Sequence, residues 1–239
     1  MAVQTSVIEY RDGKAVLEGL LAWDDALKGP RPGVMVAHAW GGRSEFEDNK
    51  AIELAKLGYA GFALDLYGKG RRGASKEQNA ALMKPFIEDR AMLQARLLLS
   101  LSTMRGQAEV DANRVAAIGF CFGGLCVLDI ARTGEDLAGV VSFHGLFGSP
   151  GNTGDNAVRA KVLALHGWDD PMVTPDQVLS LGKELTAMGA DWQLHAFGNT
   201  VHAFTNPKAN DPGFGTMYSA VADHRSWDAM RAFLAEIFA

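Results

Sequence analysis

Cysteine is scarce in this chain: two residues in 239, Cys121 and Cys126, with no C-x-x-C pair. So few thiols exclude a disulfide framework and point to a reducing, cytoplasmic setting. The six histidines never fall at H-x-x-x-H or H-E-x-x-H spacing, so no metal site is expected. An excess of positive charge is missing as well. The formal charge is −5 and the pI near 5.7, with acidic residues scattered through the chain, which argues against a nucleic-acid partner. Long apolar runs are absent too: the most apolar helical stretch, Leu97 to Leu101, is far shorter than a membrane span. The first ten residues place no cationic region ahead of an apolar one and do not resemble a signal peptide. No repeat, low-complexity tract or linker stands out, and the Gly148 to Asp155 stretch reads as a surface loop. With 48% hydrophobic residues, the chain has enough apolar material for one domain over 1–239.

What is present is an alternation. Gly33 to Ala39, Tyr59 to Leu66, Arg114 to Gly119, Gly139 to Phe143, Lys161 to His166 and Trp192 to Phe197 read as strands, several of them apolar at nearly every position. Between them Phe46 to Leu57, Lys76 to Met104, Phe122 to Arg132, Pro175 to Met188 and Thr216 to Phe238 read as helices, with Pro85 breaking the second. Gly58, Gly134 and Gly189 mark helix C-termini. Such alternation predicts an α/β fold, a mostly parallel sheet with helices on both faces. Ser6 to Tyr10 and Ala15 to Trp23 flank Asp12-Gly13, predicting an antiparallel hairpin at one edge.

One junction carries chemistry. The strand ending at Ile118 runs into Gly119-Phe-Cys-Phe-Gly123 and then a helix, the setting of a nucleophile elbow. Such a turn lifts its central side chain above the sheet only if its neighbours lack bulk, here Gly119 and Gly123, and it sets Cys121 at a helix N-terminus that favours a thiolate. A thiol needs a base and the base an orienting acid. Asp169 and Asp170 follow the strand ending at His166, and His202 follows the strand ending at Phe197, giving the order nucleophile, acid, histidine. Of the remaining histidines, His195 lies inside a strand, His144 and His166 precede glycines, and His224 sits in the last helix. His38 stays open, because it ends the first central strand. Cys126 reads as core packing.

These residues resemble a known family. Gly119-Phe-Cys-Phe-Gly-Gly124, Ala63-Leu-Asp-Leu-Tyr-Gly68, Gly167-x-x-Asp170-Pro-x-Val173 and Val201-His202-Ala-Phe204 are together similar to dienelactone hydrolases, α/β-hydrolases with cysteine as nucleophile. The resemblance implies a Cys121-His202-Asp170 triad acting on an enol-lactone or related ester without a cofactor. It prefers Asp170 to Asp169 because Val173 falls three residues later. Two positions depart from the family: its activating glutamate aligns with Ala39, and a substrate-binding arginine aligns with Asn206. Lys69, Arg71 and Arg72 follow the strand ending at Tyr67 and read either as a replacement anion site or as a solvated basic loop; Trp40 and Phe204 are the candidate pocket walls, and the backbone amides of Phe122 and Trp40 the expected oxyanion donors.

The expected protein is a cytoplasmic hydrolase of a small-molecule ester or lactone, monomeric or homodimeric. Two alternatives stand beside it: a broader carboxylesterase or thioesterase, and a catalytically silent binding or thiol redox-sensing protein on the same fold.

Overall fold

Strands that are apolar at every position belong where both faces are covered, and β3 (Arg31–Ala37) and β6 (Gly139–Phe143) are buried along nearly their whole length. The computed structural model describes residues 2–154 and 156–239. The chain divides into two compact units, residues 1–118 and 119–239.

In the first unit, β1 (Val3–Asp12) and β2 (Ala15–Asp24) form the expected antiparallel hairpin, turning where Gly13 takes φ +56°. β2 continues antiparallel onto β4 (Ala60–Ala63), and β4 pairs in parallel with β3. Helix α1 (Glu45–Lys56) begins at a capping box, in which Ser44 receives the Phe46 amide while the buried Glu47 carboxylate accepts the Ser44 amide at 2.8 Å. It packs so closely on β4 that a Cβ on Gly61 would lie 2.3 Å from the Ala51 carbonyl.

The long helix expected over residues 76–104 is two helices, α2 (Lys76–Glu88) and α3 (Arg90–Arg105), but the break is at Asp89 rather than Pro85. Pro85 lies on an exposed face with Ala81, where the carbonyl that proline leaves without its helical donor is not forced into the core. Asp89 leaves helical geometry at φ −122°, ψ 86°, and its carboxylate receives the Met92 amide at 2.9 Å as the cap of α3. β5 (Val110–Phe120) starts in this unit and ends in the next.

In the second unit α4 (Phe122–Arg132) follows β5 directly. Then β6, β7 (Lys161–Gly167) and β8 (Trp192–Phe197) pair in parallel, so their C-terminal ends share one edge, where ligands of open α/β sheets bind. The expected loop from Gly148 is irregular through Gly154, and Asp155 lies outside the described residues. Helix α5 (Pro175–Ala187) precedes β8. The last helix, α6 (Ala220–Ile237), starts four residues later than the periodicity predicts. Residues 216–217 instead form β10 (Thr216–Met217) against β9 (Asn210–Asp211), and the Met217 amide donates to the His202 carbonyl at 3.1 Å. Backbone pairing there outcompetes the helix, which Ser219 then caps. Gly58, Gly134 and Gly189 end their helices at positive φ, as expected.

Candidate active site

The elbow is built by exclusion. A Cβ on Gly119 would sit 2.0 Å from the Gly123 carbonyl oxygen, and one on Gly124 would lie 2.5 Å from Gly145 Cα, so neither position admits a side chain. This closeness lets β5 turn into α4 within one residue. That residue is Cys121, held at φ 57°, ψ −115°, outside the regions that a side chain adopts without strain. Its amide donates to the Phe143 carbonyl at 3.0 Å and to His144 Nδ1 at 3.2 Å. Cys121 is half-buried in this setting and Cys126 fully buried, and neither forms a disulfide.

Of the two aspartates after β7, the structure brings Asp170 to the histidine. The Asp170 carboxylate is buried, accepts the Met172 amide at 2.8 Å through Oδ1, and accepts His202 Nδ1–H at 2.7 Å through Oδ2. Asp169 is exposed and turned away, and its carboxylate receives the Thr200 amide at 3.2 Å, closing the loop that carries His202.

His202 itself is pinned by backbone: its amide donates to the Gly215 carbonyl and its carbonyl accepts the Met217 amide. Nδ1 being committed to Asp170, Nε2 is buried without a hydrogen bond of good geometry. The Cys121 side chain is the group that acts on it. Burial works against a charged imidazole, but the charge of the Cys121 sulfur and the hydrogen bond to Asp170 outweigh it and raise the His202 pKa to about 10. The constellation is therefore a thiol, an imidazole biased toward its cationic form, and a carboxylate fixing the imidazole from behind.

The other histidines separate by environment. His38, left open by the sequence, is fully buried; its Nδ1–H donates to the Ala39 carbonyl at 2.7 Å and its Nε2 accepts the Leu66 amide at 3.2 Å. Both nitrogens are occupied by backbone, and burial lowers its pKa against the pull of Glu47, so His38 ties β3 to the segment after β4 as a neutral ring. His166 is buried against Phe147 with its pKa lowered by burial, His195 is exposed on β8, and His224 pairs with Asp228 on α6. His144, which sequence reasoning passed over because a glycine follows it, lies beside the elbow. Its one legible signal was its position at the end of the strand after α4.

The remaining expected residues fall in varied places. Phe204 has no exposed surface and lies edge-on to His144 and Phe197, with ring centroids 5.0 and 5.6 Å away. The Asn206 side-chain oxygen accepts the Lys208 amide at 2.9 Å. Phe122 opens α4 and is buried. In the first unit Trp40 is half-buried and its carbonyl accepts the Tyr67 hydroxyl at 3.0 Å. Arg71 and Arg72 are exposed and donate to the carbonyls of Tyr67 and Arg43. They line a cavity of about 140 Å³ with Glu18, Arg43, Asp48 and Asp65, so its lining carries as many carboxylates as guanidinium groups. Among the described residues no group of three histidine, cysteine, aspartate or glutamate side chains would hold a metal, and no helix is long and apolar enough to cross a membrane.

Comparison with known proteins bears on this geometry. Residues 17–238 match the model of the dienelactone hydrolase family. The crystal structure of a dienelactone hydrolase-like promiscuous phosphotriesterase, P91, from metagenomic libraries superposes over 100% of both chains with a TM-score of 0.93 and 36% identity. A protein of Aquifex aeolicus named "putative carboxymethylenebutenolidase" is 28% identical over 86% of this chain and 89% of its own. At 15% identity and a TM-score of 0.66, the α/β hydrolase MGS-M1 from a deep-sea metagenome library, matched over 98% of each chain, supports the fold alone. The mostly parallel, hairpin-edged architecture is thus the α/β-hydrolase fold.

Proposed function

The chain belongs to the dienelactone hydrolase family and is a carboxylic ester hydrolase, and we propose that it cleaves a small ester or lactone through an acyl-cysteine on Cys121. The observation that carries this reading is the buried His202–Asp170 hydrogen bond at 2.7 Å, together with the Cys121 sulfur as the leading influence that raises the His202 pKa against burial.

In the resting protein His202 holds the proton and Cys121 is a thiolate at the N-terminus of α4, where the helix dipole favours negative charge. The thiolate adds to the ester carbonyl, and the amide of Phe122, first residue of α4, is the donor we assign to the oxyanion. Collapse of the tetrahedral adduct expels the alkoxide, which takes the proton from His202.

Acylation then changes the base. The sulfur charge is the foremost influence holding the His202 pKa up against burial, and a thioester has none. The imidazole pKa falls, the neutral ring accepts a proton from water, and hydroxide attacks the thioester to release the acid. Asp170 keeps Nδ1 protonated throughout, so that Nε2 is always the nitrogen that exchanges the proton.

The test is the mass of the intact protein after brief mixing with p-nitrophenyl acetate. The wild type is expected to gain one acetyl group and then lose it, Cys121→Ala to gain none, and His202→Ala to acylate slowly and retain what it gains. Acetylation of Cys121→Ala at the wild-type rate would refute the scheme. The likeness to P91 favours a second reading, in which the same thiol also attacks phosphotriesters. With diethyl p-nitrophenyl phosphate, that reading expects p-nitrophenol release and a diethylphosphoryl adduct on wild type and neither on Cys121→Ala.

A further inference from the structure

His144 follows β6 at φ +38°, with its own amide donating to the Leu165 carbonyl at 2.8 Å. The ring is buried and touches three things that matter. Nδ1 meets the Cys121 amide at 3.2 Å, Nε2 meets Thr205 Oγ1 at 2.8 Å, and the ring stands edge-on to His202 with centroids 5.1 Å apart. The first contact fixes the tautomer. A backbone N–H only donates, so Nδ1 presents its lone pair, the proton sits on Nε2, and Thr205 Oγ1 accepts it. A second proton would set two donors against each other at Nδ1. It would also put a cation 5.1 Å from a histidine already biased toward positive charge. Burial pushes the His144 pKa well below the ordinary value, and the neighbouring His202 charge adds to that.

We propose that His144 is a positioning residue for the nucleophile: as a neutral Nε2–H imidazole it ties the Cys121 amide to Thr205, three residues beyond His202, and so fixes the thiol relative to its base. The proposal rests on the reading of Cys121 as nucleophile. Its physical need is the strain at Cys121. A residue at φ 57°, ψ −115° stays there only if its surroundings hold it, and its amide is held by two acceptors, the Phe143 carbonyl and His144. The same imidazole grips the His202 loop through a buried threonine, 2% exposed. One side chain therefore spans the two segments whose separation sets the reaction distance, where displacements of an ångström matter.

Two measurements test it, neither of which uses ester turnover. Long-range proton–nitrogen correlation of the wild type reads the tautomer, with the His144 signals assigned by their loss in His144→Asn. Nδ1 is expected in the unprotonated range and Nε2 in the protonated range throughout the neutral region. The reverse tautomer, or a doubly protonated ring, would overturn the proposal whatever the alkylation rates of the variants.

The second measurement is the rate of iodoacetamide alkylation at Cys121, followed by peptide mass in His144→Asn and His144→Gly. Both residues tolerate positive φ, but only asparagine offers an acceptor near the place of Nδ1. Glycine is expected to slow alkylation about 10- to 100-fold and asparagine to recover most of that loss. If glycine matches the wild type, or asparagine is no better than glycine, His144 is a packing residue and the proposal fails. Absence of ester hydrolysis alongside the expected tautomer and alkylation pattern would count against the proposed function alone.

Discussion

At the scale of single residues, the protonation of His202 is the property from which reactivity follows in the proposed mechanism. Burial alone would keep it neutral; the Cys121 sulfur first, and Asp170 next, reverse that and bring its pKa to about 10. Two changes separate the causes. In Cys121→Ala the leading opposing influence is gone, so an imidazole titration followed by NMR is expected to show His202 losing its proton well below 10. In Asp170→Asn the Cys121 influence stays but the proton on Nδ1 is no longer held, so turnover is expected to fall by about four orders of magnitude, as loss of an orienting carboxylate does elsewhere. An unchanged His202 titration in Cys121→Ala would mean that the thiol is not what holds the proton. The choice between Asp169 and Asp170 shows how much of this was legible. The sequence placed both after β7, and only the resemblance preferred the second. The deciding facts are that one carboxylate is buried facing His202 while the other caps the Thr200 amide, and they belong to a loop whose path no local pattern dictates.

At the scale of elements, periodicity found nearly every strand and helix because each carries its own apolar face, and it failed where a distant partner competes. Residues 216–219 continue a helical pattern, yet β10 pairs with β9 and bonds to His202. Arg132 is a second case. It reads as an ordinary basic residue in the last turn of α4, but its side chain is fully buried. It pairs with Asp129 at 3.2 Å and Glu184 of α5 at 2.7 Å and donates to the Phe147 and Gly148 carbonyls. It joins α4, α5 and the segment after β6. Replacing it takes the cation away from the buried Asp129 carboxylate, so Arg132→Met is expected to cost about 3–5 kcal/mol in denaturant unfolding. The double variant Arg132→Met, Asp129→Leu removes both charges and is expected to recover part of that loss. If the double variant is no more stable than the single, packing rather than charge explains the cost. The elbow is tighter still: Gly119→Ala forces a Cβ to within 2.0 Å of a backbone oxygen, so it is expected to destabilise the protein by about 3 kcal/mol or more and to abolish Cys121 alkylation.

At the scale of the whole molecule, the family match spans residues 17–238, and a single chain-long pattern of strand ends made it visible in the sequence. Substrate choice was less visible, because it depends on the few side chains that vary on a common fold. Two such positions are informative. Where dienelactone hydrolases carry a carboxylate-binding arginine, Asn206 stands, and its side-chain oxygen is engaged with the Lys208 amide. Where they carry an activating glutamate, Ala39 stands, its carbonyl engaged with His38. An anionic enol-lactone thus loses its counter-ion at the first position. In the proposed mechanism thiol activation would then rest on His202 and Asp170. The chain is therefore expected to show a higher kcat/KM for an uncharged aryl ester than for a lactone bearing a carboxylate. Asn206→Arg should shift the ratio toward the lactone by roughly tenfold, the worth of one partly exposed ion pair in the transition state. A tenfold change corresponds to about 1.4 kcal/mol. The comparison is made under identical salt, because screening weakens a guanidinium–carboxylate contact but not the ester reaction. A wild-type preference for the anionic lactone would show that another cation serves it, and Arg71→Ala and Arg72→Ala would then be the variants that locate it.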